Sequence, residues 1–481
     1  MKYLKFILLG ILVFGLLESC SANNNIEVSQ KPNIVLILTD DLGYGDLSSY
    51  GATQYKTPNI DLLANKGIRF TNFYAAQPVC SASRAALLTG CYSNRVGIKY
   101  ALGPGSKTGL NPEEETIAEI LKHSNYKTIA IGKWHLGDHF KFLPLQHGFD
   151  EFLGLPYSND MWPVGYDGNR KMESNYPELP LMLGNKTIRE IKTLKDQSQL
   201  TTLYTDKATS FIEENSDQPF FLYLSHTMPH VPLAVSEKFR GTSEQGLFGD
   251  VIREIDWSVG EIVKTLKKNG IRENTLIVFT SDNGPWLSYG NHAGSTGGMR
   301  EGKLTSFEGG VRVPCIMQWP DKIPEGEVCN KIASLIDVLP TLAHITDSPL
   351  PKKKIDGVNI YPLLEGDTNA NPREIFYYYF EDNELQAIRM NHWKLVFPHD
   401  YKSYEGVEHG KDGYPGEYNN KETELKLFNL RYDPGERYDV SLSYPEVVEE
   451  MKLRAQDARN DLGDSLTGEP GKNRRQPGRL N

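Results

Sequence analysis

Cys80 and Arg84 stand one helical turn apart with only small residues between them, inside the stretch PVCSASRAALLTG of residues 78–90. Small residues after Cys80 suit a tight turn feeding a helix, with Ser81 or Ser83 as its cap. The cysteine then sits at a helix N-terminus, where backbone N–H groups and the helix dipole favour an anion. Arg84, one turn on, faces the same side. The chemistry on offer is a reactive centre beside a fixed cation. In isolation the pair would be a small buried cysteine next to a surface arginine, so its meaning rests on what surrounds it.

Four apolar runs end in polar residues that could complete such a site. Residues 33–39 (NIVLILT) read as a strand buried on both faces and lead into Asp40 and Asp41. Residues 126–131 form a strand followed by Lys133 and His135, and 219–225 form one followed by His226 and by His230, which prolines flank. Residues 275–280 end in Asp282 and Asn283. Open α/β sheets place their sites at such C-terminal strand ends. Asp40, Asp41, Asp282 and Asn283 offer only oxygen ligands, a set that selects Ca2+ or Mg2+ over zinc. The alternative is that the two acidic pairs lie apart and cap helices. Arg84, Lys133 and Lys303, with His135 and His230, concentrate positive charge in a chain whose formal net charge is −10. That acidic balance excludes a broad nucleic-acid surface.

The elements that must hold these residues read as a large α/β core. Helices are predicted at 59–65, 112–123, 202–215, 249–269 and 335–345, with a further strand at 69–74. Residues 150–195 read as an irregular insertion, and a Gly-rich loop at 290–302 leads to Lys303. From about residue 365 the pattern changes to antiparallel strands at 375–398, with a turn at Asn391-His392, a strand at 425–430 and a closing helix at 444–462. The predicted architecture is a mixed, mostly parallel sheet between helices over 32–364 and a smaller α+β subdomain with an antiparallel sheet over 365–467. The basic tail, 468–481, reads as disordered. Residues 1–20 resemble a lipoprotein-type signal: two lysines, an apolar run, then Leu17-Glu18-Ser19-Cys20. Cys20 is the expected lipid-bearing residue and 21–31 a tether; plain secretion is the alternative. Cys315 and Cys329 could pair or stay buried thiols.

The chain resembles the type I, formylglycine-dependent sulfatases of the alkaline phosphatase superfamily, arylsulfatase A-like, from Asn33 to about Asp439. The resemblance is carried by NIVLILTDDLGYGDLSSYG, the Cys80 stretch (C-x-(P/A)-x-R in the family), GKWHLG, PHVP, SDNG and GKLTSFEGGVRVP. It implies an alkaline phosphatase-like fold and oxidation of Cys80 to formylglycine by a separate maturase. It puts the family's metal ligands, for Ca2+ or Mg2+, on Asp40, Asp41, Asp282 and Asn283, with position 80. Its sulfate-binding and catalytic residues fall on Arg84, Lys133, His135, His230 and Lys303. In the implied mechanism the hydrated aldehyde attacks sulfur. Lys303 or His230 protonates the leaving alcohol, and His135 then takes the proton whose loss expels sulfate.

His226 falls outside the family's H-x-P frame and reads as structural or as a support behind the site residues. Asp160, Trp162, His292 and Arg300 lie in loops expected to overhang the site and grip the organic part of the substrate. The implied substrate is a sulfated carbohydrate, met by an enzyme lipid-anchored through Cys20 and facing the periplasm of a bacterial envelope. The rival readings are a formylglycine phosphonate or phosphodiester hydrolase of the same superfold and a catalytically dead glycan-binding lipoprotein.

Overall fold

The strand Asn33–Thr39 is buried along its whole length, and its alternating side chains divide the core in two. Ile34, Leu36 and Leu38 join one apolar cluster, which takes in residues of the helices Cys80–Thr89, Ile117–Lys122 and Val338–Thr346. Val35 and Ile37 join the other, with the helices Pro58–Asn65, Leu200–Glu214 and Leu247–Lys268. A strand with apolar residues at both parities can only sit inside such a sandwich.

The computed structural model describes residues 31–171 and 174–480. The signal, Cys20 and all of the tether but Lys31 fall outside the described residues. Among the described residues, no helix is long and apolar enough to cross a membrane.

An 11-stranded sheet organises the core. Its spatial order is Glu327–Cys329, Ile68–Tyr74, Arg312–Gln318, Thr275–Ser281, Asn33–Thr39, Phe220–Ser225, Lys127–Lys133, Glu151–Leu155, Leu179–Leu183 and Lys186–Ile191, with Ala333–Ser334 beside Ile68–Tyr74. The five strands from Thr275–Ser281 to Glu151–Leu155 run parallel, and Arg312–Gln318 runs against both of its neighbours. The register pairs Thr39 with Ser281, Leu38 with Ser225 and Gly132 with Ser225, so the four functional strand ends share one edge of the sheet. A second sheet, Ile375–Phe380, Glu384–Met390, Trp393–Val396 and Lys426–Asn429, is antiparallel throughout. The helix Pro445–Leu462 shares a core with it, and Tyr74, Ala86, Tyr92 and Ile336 of the larger part enter that same core.

Several expectations are corrected. The segment 150–195 is not simply irregular: it adds three strands to the sheet. The last of them, Lys186–Ile191, is exposed at five of its six positions, so it carries no apolar alternation to read. The helix expected over 112–123 begins at Ile117, because the Thr116 side chain and Glu119 close a reciprocal cap there. Neither Ser81 nor Ser83 caps the Cys80 helix; Val79 holds that position in an extended conformation without a side-chain bond. The four described cysteines are all free. Cys315 and Cys329 pair with Phe70 from opposite sides, which separates them by two strand spacings, roughly 10 Å and beyond disulfide reach.

The tail is ordered. Arg475 bonds both carboxylate oxygens of Glu114 at 2.7 Å, and Gly478–Arg479 pairs with Thr108–Gly109. Its basic composition reads as disorder only until its acidic partner is placed. Glu114 is 2% exposed. Arg475→Ala is therefore expected to destabilise the fold by about 1–3 kcal/mol through an under-compensated buried carboxylate, measured by denaturant unfolding.

Burial pushes His147, His226 and His399 down to about 4 from an ordinary 6.5. Between those two values the unfolded chain binds protons that the folded chain excludes, so stability falls as pH drops through that window. Each histidine contributes a slope of up to about 1.4 kcal/mol per pH unit. His147 has no hydrogen bond at either ring nitrogen and lies 5.7 Å from Trp134. His147→Phe should flatten the dependence of the unfolding midpoint between pH 7 and 5; an unchanged slope refutes the assignment.

Candidate active site

Cys80 occupies the first position of the helix Cys80–Thr89, which places it in a first turn whose N–H groups no side chain caps. Around it the strand ends converge. A ligand atom each from Asp40, Cys80 and His230 lie within 4.8 Å of one another, and so do those of Asp40, Asp41 and Asp282. Two turns in the backbone make this convergence possible. Asp41 (φ 65°) and His135 (φ 61°) adopt the left-handed conformation, a strain that branched or bulky residues rarely bear and that clusters at functional sites. Strand geometry thus ends at Lys133 rather than continuing to His135. Gly132 permits the approach of Lys133, since a Cβ there would stand 1.8 Å from the Ser225 carbonyl oxygen.

Each carboxylate has its own cation. Lys133 Nζ lies 2.5 Å from Asp40 Oδ2, Lys303 Nζ 2.8 Å from Asp41 Oδ1, and Arg84 Nη2 2.8 Å from Asp282 Oδ2. Arg84 Nη1 also donates to the Lys133 carbonyl at 2.9 Å, and Asn283 Nδ2 donates to Asp41 Oδ1 at 2.7 Å. All these side chains are at most 5% exposed. Burial opposes ionisation of Asp40, but Lys133, His230 and Arg84 outweigh it and hold the carboxyl well below its usual range. Burial and the Asp40 charge push Asp282 up to about 7. That pairing of opposite shifts is the mark of three carboxylates packed too closely for protein cations alone. Burial also raises the Cys80 thiol, so the unmodified side chain is held protonated and is a poor nucleophile. His135 is driven well below its ordinary value by burial and by Lys133 and Arg84. Its Nε2 lies 3.0 Å from the Leu102 carbonyl, and its Nδ1 has no partner.

The residues fit a hard divalent cation. Asp40 Oδ1 and Asn283 Oδ1 are buried and form no hydrogen bond, and an oxygen each from Asp40, Asp41 and Asp282 lie within 4.8 Å of one another. With three carboxylates facing three cations, a divalent ion leaves the site net positive, as an anionic substrate requires.

The other predicted residues divide. His226 is buried, its Nε2 3.4 Å from Ser258 Oγ, and it belongs to neither group of clustered ligand atoms. Trp162 is 1% exposed and packed in the apolar core, so it does not grip a ligand; its indole is too large and apolar to leave there. Arg300 is committed elsewhere: its guanidinium stands 3.8 Å from the Phe307 ring centre and donates to the Tyr401 hydroxyl at 2.7 Å. Asp160 Oδ1 and His292 Nδ1 are buried without partners. Sequence reasoning missed Trp286, whose ring lies 4.5 Å below Lys303 Nζ and 5.8 Å from His230. Tyr289 and Tyr166 continue that row, at 5.0 and 5.3 Å centre to centre. Ser158, a 3.0 Å acceptor for Lys133, and Ser225, a partner of Arg84, were also missed. Ser225 and Trp286 lie at or just past strand ends that the sequence shows, so the same strand-end signal points to them.

A family model described as Sulfatase matches residues 32–348, and one described as the C-terminal region of aryl-sulfatase matches residues 371–474. The chain is 38% identical over 452 residues to N-acetylgalactosamine-6-sulfatase of Canis lupus familiaris, covering 88% of this chain and 84% of that protein. It is 36% identical over 468 residues to human (Homo sapiens) arylsulfatase A, covering 92% and 91% of the two chains. The crystal structure of the PsFucS1 sulfatase from Pseudoalteromonas sp. superposes with a TM-score of 0.79 at 31% identity, over 89% of this chain and 91% of that one.

Proposed function

The chain belongs to the sulfatase family and is a sulfuric ester hydrolase, and on that premise we propose that it removes sulfate from a sulfated carbohydrate, using a formylglycine derived from Cys80 and a bound Ca2+ or Mg2+. The observation that carries this reading is the convergence of Cys80, three carboxylates and three fixed cations at one edge of the sheet. Asp40, Asp41, Asp282 and Asn283 are the residues suited to hold the cation. When bound, the cation supplies positive charge for sulfate oxygens, and the hydrated aldehyde at position 80 supplies the nucleophilic oxygen.

The chain's own residues do the rest. Arg84, Lys133 and Lys303 face the charge that develops on the sulfuryl oxygens. Lys303 Nζ is engaged by both oxygens of Asp41, at 2.8 and 2.9 Å, whereas His230 Nε2 lies 3.6 Å from the same carboxylate. His230 is accordingly the freer donor, and we assign it the protonation of the leaving alcohol. His135, neutral and with a free Nδ1, accepts the proton released when sulfate departs.

A carbohydrate leaving group is supported by Trp286, a partly buried ring beside Lys303 and His230 that offers a face for a sugar ring. The unpartnered Asp160 Oδ1 and His292 Nδ1 offer polar contacts for hydroxyls. The name of the N-acetylgalactosamine-6-sulfatase relative makes a 6-sulfated hexosamine the first sugar to test. The defining experiment compares kcat/KM for sulfated sugars with that for a phosphodiester and a phosphonate monoester. Preference for the sulfate ester by about ten-fold or more is expected. Preference for either phosphorus ester would replace this reading with the phosphohydrolase one, and inactivity on all three would favour a glycan-binding protein.

We further propose that the chain is exported and lipid-anchored through Cys20, facing the periplasm. Cys20→Ala should release it from the membrane fraction, and retention of the variant there would contradict the anchor.

A further inference from the structure

Where the large sheet meets the C-terminal sheet lies a cavity of about 410 Å³, lined by Arg312, Lys331, Arg389 and Arg431 together with asparagine amides and His392. No carboxylate lines it. None of these residues takes part in the site around Cys80.

The charge beneath the cavity is not balanced. Glu308 is shared by Lys394 at 3.1 Å, Arg312 at 3.6 Å and Arg389 at 3.8 Å, and it already accepts hydrogen bonds from Tyr74 and Tyr378. Glu436 pairs with Lys394 at 2.8 Å. Lys331 and Arg431 form no ion pair among the described residues. Three cations therefore share two carboxylates, and Lys331 and Arg431 add two more to the cavity lining, in a chain of net charge −10.

The two buried arginines are also short of hydrogen-bond partners. Arg312 is 9% exposed and makes one hydrogen bond, from Nε to the Thr71 carbonyl; its buried Nη1 makes none, with Glu308 Oε2 its ion-pair partner at 3.6 Å. Arg389 is 3% exposed and donates from Nε to Asn391 O and from Nη1 to Asn72 Oδ1, with no bond from Nη2. Burial pushes its guanidinium down to about 9. The fields of Arg431 and Arg389 add to burial in lowering His392. Under-bonded guanidinium groups are costly unless an anion completes them, and their planar forks suit the oxygens of a sulfate.

We propose that this cavity is a second, non-catalytic site that binds a sulfate group of an anionic glycan. The inference rests on the sulfated-carbohydrate reading for its ligand, and on the cavity alone for its existence.

The test uses the double variant Lys331→Gln/Arg431→Gln, whose residues lie at the cavity's solvent side and outside the catalytic machinery. The probes are a chondroitin 6-sulfate hexasaccharide, inorganic sulfate and a small aryl sulfate. Calorimetric affinity for the hexasaccharide should fall by about five-fold or more, as for the loss of two partly screened charge contacts. The variant's kcat/KM on the aryl sulfate and its melting temperature should not move. Unchanged hexasaccharide affinity, or no hexasaccharide binding by the wild type, overturns the proposal. Inorganic sulfate that binds as tightly as the hexasaccharide, with the same loss in the variant, marks a free-anion pocket and overturns the glycan assignment. Failure of the sulfatase reading would show separately, as wild-type protein that turns over neither ester, because the binding measurement needs no turnover.

Discussion

Replacing Cys80 by alanine is expected to lower kcat on a sulfate ester by a factor on the order of 10⁵ or more, the scale seen when a covalent nucleophile is removed. The fold should survive. Cys80 is 2% exposed and forms no hydrogen bond, so losing its sulfur should cost no more than about 1.5 kcal/mol in denaturant unfolding. The same loss of activity should follow when the wild-type chain is made without the maturase. The structure says why: burial holds the thiol protonated, and a protonated sulfur at this position cannot do the work that the surrounding cations are arranged to assist. A Cys80→Ala protein retaining more than about a hundredth of the activity would place the nucleophile elsewhere.

Metal removal should be nearly as severe. A chelator is expected to lower kcat/KM by roughly 10²–10³, equivalent to several kcal/mol of transition-state stabilisation, with recovery on adding Ca2+ or Mg2+. Binding should also raise thermal stability, by about 2.7 kcal/mol at a hundred-fold excess over Kd. Asp282→Asn removes one of three clustered carboxylates and should abolish both effects together. Arg84 would then lose its carboxylate partner at 2.8 Å, so a control is needed to separate metal loss from arginine displacement. Asn283→Ala serves, because Asn283 Oδ1 has no partner and its amide touches only Asp41 and Gly284. Full activity of both variants in chelator would refute the metal site.

The chemistry was more legible in the chain than the surface around it. Asp40, Asp41, Lys133, His230, Asp282 and Asn283 could be placed because each follows a run of apolar, strand-forming residues, and parallel sheets align such ends. The edge strands were not legible: Lys186–Ile191 is largely exposed and lies among prolines and glycines. The tail misled for a different reason. Its order depends on Glu114, more than 300 residues away, and composition carries no trace of such a partner. Trp162 shows the limit of loop reasoning, since an aromatic residue in a loop can be core as readily as platform, and here it is core. Trp286, which does adjoin Lys303 and His230, lies just past the Asp282-Asn283-Gly284 stretch, and an aromatic there carries no chemistry of its own to single it out.

Fold and family leave one claim to be settled chemically, that Cys80 is a precursor. Trypsin cleavage after Arg69 and Arg84 releases residues 70–84 as one peptide. In active protein its mass should be lower by one sulfur and two hydrogens and higher by one oxygen, and the converted fraction should track kcat across preparations made with varying amounts of maturase. A peptide carrying only the intact thiol, in protein that hydrolyses sulfate esters at the full rate, would contradict the account.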